Sequence, residues 1–303
     1  MNAPCEIERT GSPSAVSWAL PRQDWLTSPL SETWTASRQT AHRDEAHDNE
    51  LMRFGKDGRF IVRRARSGED RLRCWNLVYR EYLAMGYVQP QDKPYRYTAH
   101  DALPNTATFF IEVDGRLAGC ATVFPFSPTG QPADEAYGAE LAALRQAGRR
   151  PVEVGRLTIS SEFKHEREIL ARLFDTISIA ARRLMDGTDL VVTVNPSHAK
   201  FYERMLCFER IGKEKTLGCV SGAPALLLRL SAETETAMRR WAHDEGPLPE
   251  KFDGGRTLYP RLSDRAGEET LVRRLRRTGS SAPLPESFLR RWFASTTSAH
   301  SAA

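Results

Sequence analysis

Residues 194–212 read VNPSHAKFYERMLCFERIG. The apolar run DLVVTV (189–194) leads straight into Asn195-Pro196, and a helical pattern follows. Proline has no N–H to satisfy and a φ suited to a first helical turn, so Pro196 opens the helix behind Asn195. Helical spacing then puts His198 and Tyr202 one turn apart on one face. An apolar strand that stops abruptly before an imidazole and a phenol raises the question of what lies beyond its end.

Upstream, RFIVRRA (59–65) reads as a short strand, and Ser67 caps a helix to about residue 85 with Leu72, Trp75, Val78, Tyr79 and Tyr82 at helical spacing. Three prolines break residues 86–105 into a long loop placed to cover a substrate. TATFFIEV and RLAGCATVFPF are strands joined by the hairpin pair Asp114-Gly115. ADEAYGAELAALRQAG is a helix that stops at Gly148, PVEVGRLTIS (151–160) a strand, and 166–186 a long amphipathic helix. After strand 189–194 and helix 197–206, a strand is expected from about 207 to 214, then APALLLRL as the last. This order predicts an α/β fold: a mixed, mostly antiparallel sheet flanked by helices. It divides the chain into a disordered leader (1–58), a catalytic-size domain (59–230) and a helical C-terminal extension (231–303). Segments such as EETLVRRLRR and PESFLRRWF in the extension carry basic and apolar faces. They suit peripheral contact with an anionic membrane, packing over the sheet, or dimerisation.

The 303 residues are 40% hydrophobic and 27% charged, enough for one substantial core. No apolar run approaches the roughly 20 residues of a membrane span, and the N-terminus lacks the pattern of a secretory signal. The five cysteines are scattered without CxxC spacing, which predicts reduced thiols in a cytoplasmic protein, with no disulfide framework and no metal site. A net charge of +4 is too mild to indicate a nucleic-acid partner.

The element order, with Asn195, Phe201-Tyr202 and Cys207-Phe208 (Cys where Gly is usual), resembles the GNAT superfamily of N-acyltransferases. Five segments in order are similar to the long-chain N-acyl amino acid synthases of the FeeM type, relatives of the acyl-homoserine-lactone (autoinducer) synthases. They are LVYREYLAMGYV, AHDALPNTATFF, AELAALRQAGRRPVEVGRLTIS, VNPSHAKFYERMLCFERIG and SGAPALLLRL. The resemblance implies an enzyme that moves a fatty acyl group from a thioester to the α-amine of an amino acid. The thioester is carried on acyl carrier protein or coenzyme A, as a substrate rather than a permanently bound cofactor. Within the same fold the alternatives are an acetyl-CoA-dependent N-acetyltransferase and a non-catalytic interaction module.

In VEVGRL (152–157), strand alternation puts Glu153 and Gly155 on one face and Val154 and Arg156 on the other, and the glycine marks a bulge or a close approach. By resemblance to a Glu-x-x-Arg strand of the autoinducer synthases, Glu153 is the candidate acceptor of the amine's proton, directly or through water, and Arg156 positions a carboxylate or braces the site. Tyr202 matches the position that supplies the acid for the leaving thiolate. Asp101 matches an acidic position that helps hold the amine substrate, and here it either grips an ammonium or shapes a turn. Asn195 either bonds pantetheine amides or caps its helix, and His198 is placed to face the same cleft. The glycine-rich pyrophosphate loop of acetyl-CoA users is absent: SSEFKHEREIL (160–170) has no glycine. Lys164, His165 and Arg167 are the candidates for the single phosphate of a pantetheine arm, and Arg145, Arg149 and Arg150 for an acidic carrier protein. Phe109, Phe110, Val123, Phe124, Phe126, Leu173 and Ile177 either flank an acyl tunnel or pack as core.

Overall fold

Every residue of ATFFIEV (107–113) is buried, so this strand needs cover on both faces, and helices supply it. The computed structural model describes residues 49–279 other than 104, 128, 129 and 251, all within the compact unit that runs from Ala46 to Ala303. Along the chain come β1 (Glu50–Phe54), β2 (Phe60–Arg64), α1 (Gly68–Ala84), β3 (Ala107–Val113), β4 (Arg116–Phe124) and α2 (Asp134–Gln146). Then follow β5 (Pro151–Ile159), α3 (Arg167–Arg183), β6 (Asp189–Val194), α4 (Pro196–Leu206), β7 (Glu209–Arg210) and β8 (Lys215–Leu217). The chain continues through β9 (Ala223–Ser231), α5 (Ala232–Ala242) and α6 (Arg265–Thr278). The nine strands form one sheet in the order β1-β2-β3-β4-β5-β6-β9-β7, with β8 also on β9. The β5–β6 pair is parallel and the others are antiparallel, which is the mixed sheet expected.

Local chemistry explains several element ends. Ser67 Oγ accepts from Asp70 N at 3.0 Å, and Asp70 Oδ2 accepts back from Ser67 N at 3.3 Å, a capping box at the start of α1. Asp114 and Gly115 both take positive φ (51° and 78°), as a two-residue hairpin between right-twisted strands requires.

Alternate side chains divide the core between the two faces. Phe110 and Cys120 pack with Leu77 and Val78 of α1, while Val191 and Leu227 pack with Tyr137 and Leu141 of α2. On the opposite face, Phe109, Ile111, Val192 and Leu228 meet Ile169, Leu173 and Ile177 of α3.

Two expectations are corrected here, and one of the three readings of the C-terminal extension is selected. Strand β1 lies inside the segment read as a leader: it pairs with β2, and Leu51 is fully buried. Residues 1–48 lie outside the described residues. The strand expected over 207–214 is reduced to Glu209–Arg210, because Ile211 N and Gly212 N both donate to Leu227 O and the ladder kinks. Packing over the sheet is the docking that α6 adopts. Leu271, Val272 and Leu275 join the main core, so EETLVRRLRR has no apolar face left for a membrane. PESFLRRWF (285–293) lies outside the described residues. Among the described residues, no helix is long and apolar enough to cross a membrane.

The extension also holds α4 in place. Thr257 Oγ1 and Leu258 N donate to Met205 O (2.9 Å each), and the Tyr259 hydroxyl donates to Leu206 O at 3.1 Å. These bonds satisfy carbonyls that a helix end leaves without partners. Cys207 follows with φ 60°, the left-handed cap conformation that glycine adopts most easily.

Candidate active site

Strands β5 and β6 pair only from Pro151↔Asp189 to Glu153↔Val191. Beyond that point β5 continues against β4 and β6 against β9, so the two strands part and a cleft opens between them. At the fork, Arg156 and Leu157 together oppose Ala121 alone, and Arg156 has φ 54°. This is a β-bulge, which bends the strand and re-aims a side chain. Strict alternation placed Arg156 on the face opposite Glu153; the bulge instead turns it into the same cavity. At Gly155 beside it, a Cβ would lie 3.0 Å from the Phe124 ring, so a larger residue there has to displace that ring.

Two cavities meet at this fork and share Tyr82, Gly155, Arg156 and Thr193. The larger, about 340 Å³, has apolar walls that include Met85, Leu157, Leu170, Val192 and Phe201. The smaller, about 140 Å³, contains Glu153 under a roof of two loops. Arg96 Nη2 donates to Cys219 O at 2.6 Å, and Ser221 Oγ donates to Tyr87 O at 3.2 Å, which joins the loop of residues 86–105 to the β8–β9 turn.

Glu153 is 4% exposed, and its Oε2 accepts from Ala133 N at 2.8 Å. Burial penalises the carboxylate and raises its pKa to about 7, against the opposing pull of that N–H and of Arg156. Such a group exchanges a proton near neutrality, as a general base must. Asp101 is also buried, but it lines neither cavity. It accepts from Arg156 Nη1 at 2.5 Å and from Thr98 N at 2.6 Å, contacts that brace Arg156 and shape the turn at Thr98. Arg156 Nη2 reaches Thr98 Oγ1 at 3.2 Å, and its guanidinium lies 5.3 Å from the Phe124 ring centre.

Tyr202 lines the larger cavity, with Phe201 and Phe208 edge-on to its ring. Burial, and then the neighbouring Tyr82, raise its pKa, so the phenol keeps its proton. Its hydroxyl has no hydrogen-bond partner among the described residues and is available to a ligand. His198 is exposed at the rim of the same cavity.

Of the two roles open to Asn195, the structure displays the cap. Its Oδ1 accepts from Ser197 N at 3.0 Å and Ser197 Oγ at 2.8 Å, while Nδ2 donates to Pro224 O at 3.3 Å. Asn195→Ala should therefore cost about 1 kcal/mol, read as a lowered denaturation midpoint.

Lys164, His165 and Arg167 are exposed around the start of α3 and line neither cavity, although the larger cavity reaches Ile159 and Leu170 on either side of them. The arginines considered for carrier docking are engaged within the chain: Arg145 with Asp134, Arg149 with Asp189 and Glu233, and Arg150 with Asp186. Of the aromatic and aliphatic tunnel candidates, Phe109, Phe110, Val123, Leu173 and Ile177 are core. Phe124 lines the smaller cavity, and Phe126 is exposed.

Tyr82, Arg96, Thr98 and Thr193 also line the site and carry no motif of their own in the sequence. Arg96 and Thr98 lie in the loop expected to cover a substrate, while the helical spacing of Tyr82 marks it as core.

The family model for the N-acyl amino acid synthase FeeM matches residues 73–231, just over half of the chain. The chain belongs to the FeeM family of N-acyl amino acid synthases. It is an N-acyltransferase. The solved structure of FeeM from uncultured soil microbes is 26% identical with a TM-score of 0.51, over 58% of this chain and 92% of that one. The acyl-homoserine-lactone synthase LasI is 21% identical with a TM-score of 0.44, over 63% of this chain and 98% of that one. The CoA-dependent acyl-homoserine lactone synthase BjaI is 12% identical with a TM-score of 0.41, over 69% and 92%. No curated protein matches the chain.

Proposed function

We propose that this FeeM-family enzyme transfers a long-chain fatty acyl group from the phosphopantetheine thioester of an acyl carrier protein to the α-amine of an amino acid. The observation that carries this reading is Glu153, a buried carboxylate poised near neutrality beside the fork of β5 and β6. Past Glu153 the cleft edge of β5 has no strand partner among the described residues. An amide-bearing pantetheine arm can pair with such an edge as an added strand would. The apolar walls of the larger cavity suit the attached acyl chain.

In the reaction, Glu153 takes one proton from the substrate ammonium, directly or through water. The freed amine nitrogen attacks the thioester carbon, and an N–C bond forms. The tetrahedral intermediate collapses as the C–S bond breaks. Tyr202 protonates the departing sulfur and recovers a proton from the new amide nitrogen, so the products are an N-acyl amino acid, a thiol and one proton passed to solvent from Glu153. Arg156, braced by Asp101, places positive charge beside the developing oxyanion.

Residues 160–170 hold no glycine to let backbone amides close round a pyrophosphate, which favours a donor with a single phosphate. Lys164, His165 and Arg167 offer exposed basic groups for that phosphate and for an acidic carrier.

Mass spectrometry of purified enzyme given acyl carrier protein and coenzyme A thioesters with a mixture of amino acids tests the assignment. Long-chain N-acyl amino acids formed preferentially from the carrier thioester are expected. No N-acylated amino acid at any chain length would overturn it, and acetyl transfer from coenzyme A, indifferent to carrier protein, would replace it with an acetyltransferase. Tyr202→Phe should lower kcat about 10²-fold with both KM values little changed, because only the proton delivered to sulfur is lost.

A further inference from the structure

We infer that Arg96 anchors the α-carboxylate of the acceptor, so that the smaller cavity takes amino acids as zwitterions with the α-amine directed toward Glu153. This deepens, and rests on, the reading of the acceptor as an amino acid.

The argument is one of charge and donors. The charged side chains lining the smaller cavity are Arg96, Glu135, Glu153 and Arg156. Arg156 is matched by the buried carboxylate of Asp101. Arg96 has no such match: its side chain makes one hydrogen bond, to the backbone carbonyl of Cys219. Four of the five guanidinium N–H donors therefore remain without a partner among the described residues, in a fork geometry that suits a carboxylate.

The residue is also held in position from behind. Arg96 N donates to Trp75 O at 3.0 Å, and the neighbouring Tyr97 ring packs 5.0 Å from Trp75. Glu135 is exposed at the opening of the same cavity and makes no ion pair among the described residues. It would repel a carboxylate and attract an ammonium. A small zwitterion in this space is thus oriented from both sides, with its carboxylate on Arg96 and its ammonium toward the carboxyl groups. A simple amine or a protein amine lacks the group that Arg96 would hold.

The test compares one amino acid with its amide and with its decarboxylated amine, all given the same acyl thioester, in wild type, Arg96→Ala and Arg96→Lys. A carboxylate held by charge-assisted hydrogen bonds gives a preference of about 10–10²-fold in kcat/KM for the free acid in wild type. Arg96→Ala is expected to raise KM for the amino acid by a similar factor and erase the preference. Loss of the bond to Cys219 O acts on all three acceptors alike, so the quantity read is the ratio of kcat/KM between the free acid and its amide. Arg96→Lys should recover part of the preference, since it restores charge without the fork. A carboxylate preference that survives Arg96→Ala, or that wild type never shows, overturns the role of Arg96 while leaving amino acid acylation standing. Failure of wild type to acylate any amino acid overturns both.

Discussion

Replacing Glu153 by glutamine is expected to lower kcat/KM for acyl transfer by about 10²–10⁴-fold and, at the same time, to stabilise the protein above pH about 7. The two effects share one cause. Burial raises the carboxyl from 4.5 to about 7. Between those values the folded state binds the proton and the unfolded state has released it, so stability falls as pH rises and the full cost is reached above about 7. At ~1.4 kcal/mol per unit this amounts to about 3 kcal/mol at full ionisation. Glutamine cannot ionise, keeps an oxygen for Ala133 N, and escapes the cost. Activity has the opposite dependence: the base works only when deprotonated, so kcat/KM should rise with pH and inflect near 7. That inflection should vanish in Glu153→Gln. Thermal melts and pH–rate profiles of the two proteins check both halves. Unchanged turnover would remove Glu153 from the mechanism.

Replacing Arg239 by alanine should cost about 3–5 kcal/mol of folding stability, measured by urea denaturation. Arg239 is 6% exposed and donates to Asp175 Oδ1 and Glu235 Oε1 at 2.8 Å each, and to Ser178 Oγ at 2.7 Å. Asp175 and Glu235 are almost wholly buried, so losing the guanidinium leaves carboxylates in a poor solvent for charge. Burial alone would raise the Glu235 pKa, but Arg182 and Arg239 overcome it and hold the group below its ordinary value of 4.5. A depressed carboxyl contributes stability above its unfolded pKa, and this is lost as pH falls through the folded one. Wild type should therefore lose more stability than Arg239→Ala on acidification below about 4.5. Replacing Arg239, Asp175 and Glu235 together with apolar residues should recover much of the loss, because no charge is then stranded. The effect also bears on catalysis: this network ties α5 to α3 and, through Ser263, to the segment whose residues 257–259 cap α4 beneath Tyr202. Arg239→Ala should therefore also loosen α4, the helix that carries Tyr202.

Much of this was legible in one dimension because its causes are local. Ser67 with Asp70, Asp114-Gly115, and Asn195-Pro196 each determine their element ends through bonds or dihedrals within a few residues. The period of apolar residues likewise set which faces of α1 and α3 turn inward. Glu153 and Tyr202 could be marked from the resemblance, and both line the joined cavities.

What the chain order concealed depends on partners far along it. The bulge at Arg156 exists only against Ala121 of β4, and it reverses the face that alternation assigns. That Asp101 holds Arg156, 55 positions away, shows only in the folded chain. The arginines after α2 look free for a carrier protein until Asp189, Asp186 and Glu233 come alongside them. Helix α6 looks amphipathic enough for a membrane until α3 and β1 cover its apolar stripe. Local propensity and periodicity determined where the elements of this protein begin, end and turn apolar. Which charges cancel, which faces are covered and where the sheet parts were decided only in the tertiary structure, because each depends on a non-local neighbour that changes the solvent, and so the energy, of the same side chain.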